Sequence, residues 1–375
     1  MEWRRARTYL PDMTNDPPKL DEQDLVDLSV GCTVLAGGGG GDPRIGLLMA
    51  LNAVRRTGPV PLIDLDSLAA DDLVVPAGMI GAPTVMVEKI PNGNEGDVIR
   101  AAFEARLNRP VAALMPLEMG GINGVLPVAW AAHAGLPLVD GDLMGRAFPE
   151  LQMCTPHLYD IPSWPCVVVD ERSQVITFEP RDNVWLERLA RNAVSTLGGC
   201  ACAGLYPMDA RTAATPLLRG TVSRAVQIGR TIRTATDDPF RALDAQVDLY
   251  PLLTGKVVDV DRRTAGGFVR GSAVVEGIEH DAGRLVRIEF QNENLVAMED
   301  GEALATVPDI ITLLDRHSAR GIVTEHIRYG QRVVVGVFRA PDQWRSERGL
   351  SVVGPRAFGY DLDYVPVEDR HARVG

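Results

Sequence analysis

The sequence predicts an α/β N-terminal domain built on a mainly parallel sheet, followed by a C-terminal domain rich in β structure, a small barrel or sandwich with some helices. Three observations carry this expectation. Through the first half of the chain, helix-compatible stretches alternate with short apolar runs that end in Gly or an acid, as strands buried between helices do. From about residue 250 the texture changes to β-branched runs punctuated by Gly, Asp and Asn. A chain of 375 residues, 46% of them hydrophobic, is long and apolar enough to bury two cores. The expected boundaries are 20–180 for the α/β domain and 181–370 for the second, helical at first and β-rich from about 250.

The elements follow in order. DEQDLVDLSV (21–30) and RIGLLMALNAVRR (44–56) read as helices. DLVVPAGMIG (72–81), VAALMPLE (111–118) and LPLVDGD (136–142) read as short strands, and WPCVVVDE (164–171) with SQVITFEP (173–180) as a hairpin. Residues 183–247 return to helix-compatible sequence around STLGGCACAG, with Cys200 and Cys202 expected as small buried residues at a helix start. LTGKVVDVDRR, GGFVRGSAVVEG, RLVRIEFQNENLVAMED and RVVVGVFRAP supply the later strands. With no repeat and no low-complexity linker, the two domains are expected to pack closely.

A net charge of −12 and a pI near 5.1 argue against a general grip on nucleic acid or an anionic membrane, both of which require clustered Lys and Arg. A small-molecule substrate is expected instead, together with a homo-oligomeric assembly. Five scattered cysteines do not make a disulfide framework, which points to a reducing cytoplasm. The first twenty residues carry basic side chains but no apolar core, so they are not read as a secretory signal. No run of about 18 apolar residues marks a membrane span.

LAGGGGGDP (35–43) raises the possibility of a phosphate loop. Pro43 suits the first turn of the following helix. Asp42, however, stands where its carboxylate would take the free amides and repel a phosphate, and no Lys-Ser/Thr follows. Two readings remain: a tight strand-to-helix connection, or a close backbone wall (Gly38, Gly39, Gly40, Gly41) around a flat neutral substrate with Asp42 aimed at it.

The densest chemistry lies in LEMGGINGVLPVAWAAHAGLPLVDGDLMGRAFPELQMCTPH (117–157). Glu118 ends one apolar strand and is followed by Gly120, Gly121 and Asn123. The next strand ends in Asp140-Gly141-Asp142, followed by Arg146 and Glu150. Two strands thus deliver carboxylates, an amide and a guanidinium to one rim, where open α/β sheets bind ligands. Each residue also has a structural reading: Asp140 or Asp142 as a helix cap, Arg146 and Glu150 as an i,i+4 ion pair. Six histidines show no metal-binding spacing; His157, close to the acidic cluster, is the one to watch, and His133 reads as a helix residue. No metal or cofactor is expected, although Glu118, Asp140 and Asp142 would suit a hard divalent cation. Cys200 or Cys202 after Gly198-Gly199 is a conceivable nucleophile without an identifiable base.

LAGGGGGDP, the 117–153 segment and GPRAFGYDLDYVPVE (354–368) together resemble the family named for S-methyl thiohydantoin desulfurase, formerly a family of unknown function encoded beside hydantoin-utilisation genes. The resemblance covers roughly residues 20 to 370. It implies hydrolysis: water attacks the ring carbon bearing the methylthio group, methanethiol leaves and a hydantoin remains. On the residues themselves, Asp140 or Asp142 is expected as base with Glu118 as its partner, glycine amides and Asn123 as ring contacts, and Arg146 as anchor for an acidic substituent. Arg224 and Arg356 are the next candidates for that anchor. The competing expectation is an accessory, ligand-binding subunit of a hydantoin- or oxoproline-type hydrolase.

Overall fold

The computed structural model describes residues 17–82, 85, 88–265 and 268–371. Most of the arginine-bearing N-terminal stretch lies outside the described residues. The first domain runs β1 (Lys19–Leu20), α1 (Glu22–Leu35), α2 (Arg44–Thr57), β2 (Val60–Ile63), β3 (Leu73–Gly81), α3 (Glu95–Leu107), β4 (Val111–Pro116), α4 (Leu126–Ala134), β5 (Leu138–Val139), β6 (Gly141–Asp142), β7 (Cys166–Val169) and β8 (Val175–Phe178). The chain continues through α5 (Asn183–Thr196), β9 (Cys200–Gly204), β10 (Met208–Asp209), β11 (Leu218–Arg219) and α6 (Thr221–Thr234).

The sheet order is β1-β2-β5-β4-β3-β9-β7-β8, with β10 on β3. Strands β2, β5, β4 and β3 pair in parallel, whereas β9, β7 and β8 are antiparallel. The parallel centre is the expected α/β layer, and its strands are apolar throughout because helices cover both faces. Asp21 caps α1, accepting from the amides of Gln23 and Asp24, and the helix runs on to Leu35.

The 136–142 run divides into two pairs of residues in different sheets, since β6 leaves the main sheet to pair with β11. Cys200 and Cys202 stand in the middle of the main sheet on β9, between β3 and β7, rather than at a helix start. Helix α6 packs along α1. Residues 183–234 therefore pack into the layers around the main sheet.

The second domain is an antiparallel sheet of β12 (Tyr250–Ala265), β13 (Phe268–Gly277), β14 (Leu285–Gln291), β15 (Glu293–Glu299), β16 (Glu302–Thr306), β17 (Ile310–Asp315) and β18 (Arg332–Phe338). Its order is β16-β15-β14-β13-β12-β18-β17, and it curls round a core of Val, Ile and Phe as a half-barrel. Among the described residues, no helix is long and apolar enough to cross a membrane.

The glycine run connects α1 to α2, helix to helix rather than strand to helix. Gly37, Gly38, Gly40 and Gly41 all have φ between 58° and 92°, conformations that side chains resist. The loop is the seam between the domains. Its carbonyls at Gly37, Gly38 and Gly40 accept from the amides of Asn294, Thr324 and Ile122.

Candidate functional site

A cleft of about 50 Å³ opens where several segments of the chain meet. Residues 79–81 and Leu117-Glu118 come from the carboxyl ends of the adjacent strands β3 and β4, the edge at which open α/β sheets present ligand groups. Residues 148–151 form the rim, Gly40 the near wall, and Asn292 and Glu293 of the β14–β15 turn close it from the second domain.

Glu118 is held from both sides. Its Oε1 accepts from Asn123 Nδ2 at 2.7 Å and its Oε2 from the Phe148 amide at 3.2 Å. Asn123 is fixed in turn: its Oδ1 accepts from Met79 N at 2.6 Å and its Nδ2 donates to Met79 O at 3.0 Å. Burial pushes the Glu118 carboxyl up to about 8; the bonds from Asn123 and Phe148 and the charge of Arg146 oppose the rise, while Asp142 adds to it. Glu293, 2% exposed, is also pushed well up, first by burial and then by Glu118. Its Oε2 has no hydrogen-bond partner among the described residues. Two carboxyls, one from each domain, thus face one cleft.

The other expected site residues fall into two groups. Gly40, Asn123 and Glu150 line the cleft with Glu118. Glu150 bonds Gln152, not Arg146. Gly39 packs against Glu293, and Gly121 against the carbonyls of Gly40 and Gly41. Gly38 meets Asn294 and Thr324, and Gly120 meets Ala147, so both are packing positions.

Asp140 and Asp142 do not reach the cleft lining. Asp140 takes the Ser223 amide at 3.0 Å and its hydroxyl at 2.6 Å, which caps the first turn of α6. Asp142 Oδ2 accepts from the amides of Met119, Met144 and Gly145 at 2.7–3.1 Å and so shapes the turn beside Glu118. Burial raises Asp142 to about 6.

Arg146, expected at the rim, is fully buried. It donates to the carbonyls of Ala147, Pro308, Asp309 and Asn294, so its fork joins the two domains instead of reaching a ligand. Asp42 accepts from Arg44 N and faces His326 Nε2 at 4.0 Å, away from the lining. Arg224 is not a lining residue, and Arg356 pairs with Asp361 and Asp363.

Cys200 and Cys202 are buried thiols pushed up by desolvation, Cys200 to about 11, which removes thiolate at neutral pH. His157 lies outside the lining and contacts Asn183 Nδ2 at 3.1 Å. Among the described residues, no group of three or more His, Cys, Asp or Glu side chains is placed to hold a metal ion.

Arg191, Asn292 and Glu293 are the polar lining residues that sequence reasoning missed. A signal existed for Glu293: QNEN places four polar residues in a row between apolar strand runs, where an ordinary buried strand would carry none. Arg191 sits on a helix face with Glu187 four residues before it and reads as an ordinary i,i+4 pair.

Fold and site together define a two-domain protein with buried acids in an interdomain cleft at the end of an α/β sheet. The chain belongs to the S-methyl thiohydantoin desulfurase-like (S-Me-THD-like) family: residues 23–180 match its N-terminal domain and residues 181–367 its C-terminal domain. A crystal structure of a protein from Chromobacterium violaceum superposes with a TM-score of 0.80 at 24% identity, covering 93% of this chain and 100% of that one, a likeness of fold. No curated protein matches the chain.

Proposed function

We propose that the protein is a hydrolase that removes methanethiol from an S-methyl thiohydantoin to give a hydantoin, with Glu118 as base and Glu293 as acid. The observation that carries this reading is the pair of buried carboxyls facing one cleft from two domains; family membership supplies the substrate class. Two neighbouring buried carboxyls do not both ionise readily, so the pair holds one charge and one proton, which is what acid–base addition of water needs.

The division of labour follows from the hydrogen bonds. Both oxygens of Glu118 accept, which favours its charged form, whereas Glu293 Oε2 receives no donor and suits a protonated carboxyl. Glu118 takes a proton from water as the oxygen bonds to the ring carbon, and Glu293 gives its proton to the ring nitrogen across the C=N bond. In the collapse, the C–S bond breaks, Glu118 returns its proton to the departing thiolate, and Glu293 recovers one from the hydroxyl as the carbonyl forms. Both carboxyls end as they began. The close glycine wall and the apolar side chains of Met79, Ile80 and Leu117 suit a flat ring.

The test is thiol release from an S-methyl thiohydantoin by the purified chain alone. Glu118→Gln and Glu293→Gln are each expected to cost about 10²-fold or more in kcat. Activity only in the presence of a second protein would favour the accessory-subunit reading instead.

A further inference from the structure

A second groove, about 290 Å³, lies against the face of β13 and β14 and is covered by Phe358 and Tyr360 of the GPRAFGYDLDY segment. Its floor is polar. Arg270 and Ser272 on β13 stand opposite Gln291 and Glu289 on β14, all on one face of the sheet. Groove and cleft are lined by neighbouring residues: Gln291 lines the groove, and the next two residues, Asn292 and Glu293, line the cleft.

Each acid in the groove is paired with an arginine other than Arg270. Glu289 is taken by Arg287, and Asp261 by Arg263. Arg270 is exposed and, among the described residues, its guanidinium makes no hydrogen bond or ion pair. It also stands directly opposite Arg263 across β12 and β13, a like-charge pairing that costs stability. Its charge reaches both Glu150 at the cleft rim and Tyr360 in the groove. The cleft itself offers no such cation, since Arg191 already engages Glu187, the Pro149 carbonyl and the Phe268 ring.

We infer that this groove is a second ligand subsite beside the cleft, which takes an acidic side arm carried by the ring, with Arg270 as its carboxylate anchor. The inference rests on the reading of the cleft as a ring site. A guanidinium fork with no protein partner is prepared for bidentate contact with a carboxylate, and Phe358 and Tyr360 provide an apolar wall for the arm that carries it.

The experiment is calorimetric binding of two hydantoins that differ only at the end of the side arm, a carboxylate against its carboxamide. The wild type should bind the acid about tenfold or more tightly than the amide, as loss of a charge-assisted pair predicts. Arg270→Gln should abolish that preference while leaving the amide within about twofold, and Arg328→Gln, an exposed arginine in neither the cleft nor the groove lining, should leave both unchanged. Equal binding of acid and amide by the wild type, no binding of the acid, or an equal loss for both ligands in Arg270→Gln would overturn the inference. Thiol release from a ring with no side arm keeps the two readings apart. Release without any acid preference leaves the hydrolase reading standing alone; acid preference through Arg270 without release from any substrate leaves only the subsite.

Discussion

The side chain of Glu293 fills the space in which a Cβ on Gly39 would stand. The glycine at this position is therefore required by a side chain from the other domain, since the backbone φ of Gly39 is not among the positive ones.

A consequence is a strong coupling between the two residues. Gly39→Ala is expected to destabilise the protein by about 1–3 kcal/mol, as overpacking does, and to cost activity by displacing Glu293. In a Glu293→Ala background the same change should cost far less, because the colliding atoms are gone. Urea unfolding of the four proteins measures this. Equal costs in both backgrounds would show that Glu293 does not hold the site that Gly39 vacates.

The pH dependence of stability has a definite sign. Glu118 is raised from 4.5 to about 8 in the folded protein, so between those values the folded state keeps a proton that the unfolded chain releases. Its contribution is present in full below about pH 4.5 and is lost as the pH rises through about 8. Glu118→Gln removes that loss. The variant's stability relative to wild type should therefore increase between about pH 5 and 9, by a few kcal/mol at most. A difference in melting temperature that does not change with pH would contradict the burial argument.

Much of this architecture was legible in the sequence, for local reasons. Period and length gave α2, β3, β4 and the β7–β8 hairpin nearly to the residue, and the β-branched texture beyond residue 250 gave the half-barrel. The misplacements are tertiary in origin. Small residues in GGCACAG look neutral to local propensity, and only the neighbours β3 and β7 make them a strand. Glu118 and Asn123, which line the cleft, stood out in the sequence because polar side chains amid apolar ones carry a burial cost. The same cost does not reveal whether a carboxylate is satisfied by backbone amides, as in Asp142, or faces a cleft. Glu293 could not be paired with Glu118 from sequence, since 174 positions and a domain seam separate them.

Asp140 and Asp142 should differ from the cleft acids in what their loss affects. Asp140→Asn weakens a cap on α6 and should cost about 1 kcal/mol of stability with turnover nearly intact. Asp142→Asn should cost more, about 1–3 kcal/mol, because one carboxylate oxygen receives three buried amides and an amide nitrogen turned towards them cannot accept. Thermal unfolding alongside steady-state kinetics distinguishes the two effects. A loss of about 10²-fold or more in kcat for either folded variant would restore it as a candidate base.

Arg146 supplies the last prediction, since it links structure to the ionisation of the cleft. Burial lowers its guanidinium to about 10, which leaves it charged at neutral pH, and it spans the carbonyls of both domains with Glu118 and Glu293 within reach of its charge. Arg146→Met should destabilise by about 3 kcal/mol or more, because buried acceptors lose their donor and the buried acids lose a neighbouring cation. In whatever fraction folds, Glu118 should become harder to ionise, so under the proposed mechanism the rising limb of kcat/KM against pH, expected near pH 8 in the wild type, should move up. Arg146→Lys keeps the charge but not the four-way fork. It should lose stability while leaving that limb close to the wild-type position. A limb that moves equally in both variants would mean that Arg146 acts through geometry alone, and a limb that moves in neither would remove its charge from the chemistry of Glu118.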